Sequence, residues 1–187
     1  MSSIAREAIG DPRNTRTVLL DSGTVEQKRQ EIRDYLQKTF LLEEQLYEVV
    51  KDEQAFYIRA EPLRHPLVFY YGHTATFFIN KLTLASLVHQ RINPRFESIF
   101  AVGVDEMSWD DLNEGNYDWP TIAEVGDYRQ AVFELVDSLI TTMPLELPIT
   151  WESPFWPILM GIEHQRIHIE TSSAIIRQMS LEHLQQH

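Results

Sequence analysis

The stretch Pro66 to His89, PLVFYYGHTATFFINKLTLASLVH, is apolar almost all the way round at helical period. A helix of that kind has no face to offer water, so it must sit centrally among other elements. Three further stretches have the length and period to surround it. The first runs from Thr24 to Lys51, opening on a Thr24/Gln27 capping-box pattern and carrying Ile32, Tyr35, Leu36, Phe40, Leu42, Leu46 and Val49. The second runs from Thr121 to Thr142, with Glu124 completing its box and Ile122, Val125, Tyr128, Val132, Phe133, Val136, Leu139 and Ile140 as its apolar face. The third runs from Ser153 to Met179, with Ser153 as cap and Pro154 at the first helical position, where its missing N–H costs nothing. These patterns predict an all-α four-helix bundle over 23–180, with essentially no sheet. Residues 1–22 read as an extended arm, broken by Gly10, Pro12 and the Asp21-Ser22-Gly23 turn, and 181–187 as a polar tail. The connection 52–65 is expected to hold a short turn near Gln54–Ala60, and the long connection 90–120 to be helical around Pro94–Gly103.

Composition narrows the function. A chain of 187 residues suits one domain with a proper core. No apolar run approaches the ~18 residues of a membrane span, and the N-terminus lacks the apolar region of a secretory signal. With no cysteine there is no disulfide, thiolate nucleophile or Cys-based metal site, and a reducing cytoplasm is the simplest home. A formal net charge of −12 without a basic stripe argues against nucleic acid and anionic membranes as partners.

The histidines carry the chemistry. His164 and His168 are four apart on the last helix, which places both imidazoles on one face with Cβ atoms about 5–6 Å apart. Nitrogens so placed can reach one ion at ~2.0–2.1 Å. Gly161, Ile162, Ile167 and Ile169 make the segment apolar enough to be buried. Gln165 follows His164 where a zincin has glutamate, so no general base sits there. Glu170 lies two residues past His168, on the opposite face, and is left out of the ligand set. His73, among Phe69, Tyr70, Phe77 and Phe78, has two readings: a hydrogen-bonded core histidine, or a third ligand brought in by the bundle. Gly72 beside it permits close approach of another element. His89 reads as structural, near a helix C-terminus; His65, His183 and His187 have no setting that favours metal. The acidic run Asp105, Glu106, Asp110, Asp111 lacks the calcium-loop spacing. Three neutral nitrogens at one ion leave coordination positions open, as catalytic sites do, and imidazole suits zinc, iron, nickel and copper alike.

The strings RHPLVFYYGHTATFFINKL, RINPRFESIFAVGVDEMSWDDLN and PITWESPFWPILMGIEHQRIHIETSS resemble the N-terminal domain of 5-histidylcysteine sulfoxide synthases, the iron enzymes of ovothiol biosynthesis and relatives of the ergothioneine sulfoxide synthases. The likeness runs from about Thr15 to Met179. It implies a DinB-like four-helix bundle holding a mononuclear non-haem Fe(II) on three histidines, which match His73, His164 and His168. The family's H-x3-H-x-E motif includes Glu170, in a supporting role. The implied activity is O2-dependent joining of cysteine sulfur to histidine as a sulfoxide. The resemblance also implies a further formylglycine-generating-enzyme-like domain, whereas this sequence stops at His187. Full catalysis is then expected to need that domain from elsewhere, with exposed apolar surface as its seat and a homodimer as its substitute. The alternative is a stand-alone DinB-like thiol transferase or hydrolase using zinc or nickel; a third reading is a bundle whose metal only stabilises the fold. The connection 95–113 favours the first, because it resembles the synthases and not DinB proteins at large.

Overall fold

The computed structural model describes residues 11–101 and 117–185. Among them are five α-helices: α1 (Val25–Tyr47), α2 (Leu67–Leu84), α3 (Pro94–Ile99), α4 (Ile122–Thr142) and α5 (Trp156–Ile176). Two short 3₁₀ turns, Glu53–Tyr57 and Leu181–His183, complete the regular structure. The expected all-α bundle is present: α1, α2, α4 and α5 are its long helices, and the described residues hold one isolated β-bridge and no strand. The acidic run 105–111 lies outside the described residues, as do 1–10 and His187.

Local chemistry sets the helix starts. Thr24 Oγ1 accepts from the Gln27 N–H at 3.3 Å, and Gln27 Oε1 accepts from the Thr24 N–H at 2.9 Å. Thr121 and Glu124 make the same reciprocal pair for α4, at 3.2 and 2.9 Å. The start of α5 differs from expectation. Ser153 and Pro154 belong to a turn, and the helix begins at Trp156 with Pro157 in its first turn. A helix starting at Pro154 would need Pro157 to donate its first internal hydrogen bond, and proline has no N–H. One turn later, the same proline costs nothing.

The far end of α2 is also shorter than expected. Ser86 adopts a left-handed φ of 58°, and the Leu87 and Val88 N–H groups fold back onto the Leu82 carbonyl at 2.9 and 3.3 Å. His89 therefore lies beyond the helix, and the dipole argument does not apply to it. The C-terminal tail is tied down: Lys51 N–H donates to the His183 carbonyl at 2.8 Å, and Gln185 N–H to that of Val49 at 2.9 Å. The arm contributes Val18 to the core, and the Leu20 carbonyl accepts from Ile149 N–H at 2.8 Å.

Every residue of α2 from Leu67 to Ile79 is buried, as its all-round apolar sequence requires. Both α1 and α2 pack against α4 and α5, so α1 and α2 face each other across one diagonal of the bundle. The closest approach of α2 to α5 uses Gly161, where a Cβ would overlap the Phe78 ring. Gly161→Ala should therefore destabilise the fold by about 1–3 kcal/mol through overpacking, read as a lower denaturation midpoint at unchanged slope.

Candidate metal centre

His73, central on α2, and His164 and His168, one turn apart on α5, meet at this close contact. One ring nitrogen from each lies within 4.8 Å of the others. The ring centroids are 4.4 to 4.9 Å apart. His73 is fully buried, His168 nearly so, and His164 half-buried.

His73 makes the hydrogen bond of a core histidine and also brings its ring to the His164–His168 pair. Its Nδ1 lies 2.6 Å from the Phe100 carbonyl, just past α3. A carbonyl only accepts, so Nδ1 carries the proton and Nε2 keeps its lone pair. That Nε2 lies 3.2 Å from His164 Nε2. Two donors at ~2.0–2.1 Å from one ion are separated by roughly 3.0 Å in octahedral and 3.4 Å in tetrahedral geometry, so the pair has the spacing of two ligands. A His73 ring fixed by a carbonyl on its far nitrogen is the arrangement that orients metal-bound histidines. His164 Nδ1 is buried with no hydrogen-bond partner. The donor set fits a metal ion: three imidazoles converge, one with its lone pair fixed toward the others.

Aromatic rings frame the cluster. Phe77 stacks on His164 with centroids 3.6 Å apart and planes 8° from parallel, and Lys81 Nζ lies over the Phe77 ring, 4.9 Å from its centroid. Phe69 stacks beneath His73 at 5.1 Å, and the Tyr70 ring lies 5.8 Å from His168. Gly72 lets the Phe100 ring pack against α2, because a Cβ there would overlap it. The glycine thus brings the Phe100 carbonyl to His73. The open side is at His164. Met160 and Ile167, one turn before and after it on α5, are exposed, Ile167 by 63%. Ile167 was expected to be interior; its spacing from His164 puts it on the solvent side of the same face.

The other sequence candidates lie elsewhere. Glu170 is exposed and lines a surface cleft with Glu61 and Arg64, apart from the ligand set. His65 is buried and stacks on Phe69 at 4.2 Å. His183 sits in the tail, 3.6 Å from Asp52.

Burial holds His73 and His164 neutral. It lowers His73 to about 4, against the Phe100 hydrogen bond, which acts upward. It lowers His164 to about 2, helped by the adjacent His73 and His168. In the unfolded chain both titrate near 6.5. Below that pH the unfolded state binds more protons than the folded state, so stability falls with pH. The metal-free protein should lose stability steadily from pH 6.5 down to about 4, where the His73 contribution levels off. Urea midpoints measured with chelator across that range check this.

The chain belongs to the DinB superfamily, whose family model matches residues 24–172. The matched span takes in α1, α2, α4, all but the last turn of α5, and the three histidines. No curated protein matches the chain. No helix among the described residues is long and apolar enough to cross a membrane.

Proposed function

We propose that this chain is the iron-binding bundle of an O2-dependent sulfoxide synthase of the 5-histidylcysteine type, with His73, His164 and His168 holding one Fe(II). The observation that carries the metal assignment is the convergence of these three imidazoles within 4.8 Å at the α2–α5 contact. The likeness of the three strings to the synthases supports iron and the reaction. One of those strings, RINPRFESIFAVGVDEMSWDDLN, contains the Phe100 whose carbonyl orients His73.

Bound Fe(II) would supply the O2 chemistry and ease loss of a coordinated thiol's proton. The chain's own part is positional. Phe100 fixes the His73 tautomer, Phe77 covers one face of His164, and the side between Met160 and Ile167 admits cysteine, histidine and O2. Leu84, exposed two turns beyond Phe77, extends that side as an apolar rim. In this proposal the rim receives a formylglycine-generating-enzyme-like domain, from the same or a partner chain, or a second copy of the bundle. A cytoplasmic setting goes with it, since the chain has no cysteine to protect.

The test is anaerobic loading with Fe(II), then oxygen uptake with cysteine, histidine or both, in the presence of such a second domain. Uptake requiring both amino acids, with a product in which they are joined through sulfur, supports the proposal. The second reading, a zinc- or nickel-dependent thiol transferase or hydrolase, is favoured by a donor set that suits those metals equally. Turnover of a thiol with an electrophile by the zinc-loaded protein, without oxygen uptake, would select it.

A further inference from the structure

A buried polar node lies beside the metal centre, and one carboxylate oxygen holds it together. Glu43 Oε2 on α1 accepts from Arg129 Nη2 on α4 at 2.7 Å, from Gln165 Nε2 on α5 at 2.6 Å, and from Thr74 Oγ1 on α2 at 3.2 Å. The Thr74 hydroxyl accepts in turn from Arg129 Nη1 at 2.9 Å. All four side chains are buried. Every long helix of the bundle therefore meets at one atom, where the two diagonals cross.

The node has a specific relation to the histidines. Thr74 follows His73 in the chain, and Gln165 follows His164. The His73–His164 separation of 3.2 Å depends on how α2 is placed along and around α5. Apolar packing is not directional. Hydrogen bonds that end on a common oxygen are directional and short-ranged. A slip of one residue is about 1.5 Å along a helix, enough to break either bond. The shared bond thus fixes α2 against α5 one residue from each ligand.

We infer that Glu43 is a positioning residue for the three-histidine centre, setting the separation of His73 and His164 through Thr74 and Gln165. The inference rests on the metal-centre reading. It gives the node a role that a purely structural polar cluster would not have: its loss alters the metal's coordination in protein that is still folded.

The probe is Co(II), whose visible spectrum reports its coordination geometry, titrated into the full chain in competition with a chelator. Glu43→Gln keeps the shape of the side chain and removes its charge. Thr74→Val removes one hydroxyl. Val136→Ala, a core truncation on α4 outside the node, is the stability control. Binding is read only where circular dichroism shows the variant folded, so that lost stability lowers apparent affinity only by the unfolded fraction. We expect Glu43→Gln and Thr74→Val to bind Co(II) about 10–100-fold more weakly with shifted visible bands, and Val136→Ala to match wild type. If Glu43→Gln does not fold, Thr74→Val carries the same test. Wild-type affinity and spectrum in the folded node variants would overturn the inference alone. A wild-type chain that binds no Co(II) would overturn the metal-centre reading and this inference with it.

Discussion

His164→Ala should leave the protein folded and unable to retain its metal. His164 is the half-buried member of the cluster, and its contacts are the stacked Phe77 and the two other imidazoles. Truncation there opens a site already near solvent, so the cost to the fold is small. The cost to binding is large, because one of three ligands is gone. Removing an outer partner of a ligand costs about 10–100-fold in affinity, and removing a ligand should exceed that. Two readouts check this. Metal retained after anaerobic loading and desalting should be stoichiometric in wild type and absent in the variant. Added metal should raise the wild-type melting temperature, since a ligand at 100 times its Kd stabilises by about 2.7 kcal/mol, which is roughly 5–10 °C for a chain of this size. The variant should show no such rise. Equal metal content in the two proteins would refute the assignment.

The fold and the site were legible in the sequence to different depths. The central helix announces itself because residues 67–79 leave no polar side, and burial follows from that alone. The histidine pair is readable from its spacing of four. The role of His73 was open on residues alone, because it makes the hydrogen bond of an ordinary core histidine and also faces the pair; the partner, the Phe100 carbonyl, is a backbone atom with no sequence signature. Helix ends failed where backbone chemistry decided them. Ser86 closes α2 in a left-handed conformation without the glycine or asparagine that usually signals it. Two prolines three apart gave α5 two possible starts, and only the missing N–H of Pro157 separates them. The polar node had a signal that binary patterning overrides. Glu43 falls in the inward stripe with Ile32, Leu36, Phe40 and Tyr47, and Arg129 falls in that of Val125, Val132 and Val136. Opposite charges at core positions of two separate helices are each a misfit alone and a pair only when the helices are placed together.

Arg129→Met should destabilise the protein by about 3–5 kcal/mol, the cost of breaking a buried pair by removing one partner. Arg129 donates from all three of its nitrogens. Nε and Nη2 reach Glu44 Oε1 at 2.9 and 2.7 Å, Nη2 reaches Glu43, and Nη1 reaches the Tyr71 carbonyl at 2.7 Å and Thr74. Its guanidinium also lies over the Tyr71 and Phe40 rings, at 4.4 and 5.5 Å. Methionine can replace that packing and none of the charge. Glu43 is then left buried with no cation. Burial already pushes its carboxyl above the usual range, with Arg129 acting against it; without Arg129 it should rise further and take up a proton. That fixes the sign of the pH dependence. A folded-state pKa raised above the unfolded value means the folded variant binds more protons, so its stability improves as pH falls. The deficit relative to wild type should be largest at alkaline pH and shrink toward acid, while the histidine contribution, common to both proteins, cancels in the difference. Pairing the change with Glu43→Leu should recover part of the loss at neutral pH, because replacing a buried pair outright costs less than breaking it; Gln165, Thr74 and Glu44, still without Arg129 or Glu43, keep the recovery from being complete. Urea denaturation of the two variants and wild type across pH measures all three expectations, and a deficit independent of pH would show that Glu43 stays ionised without its arginine.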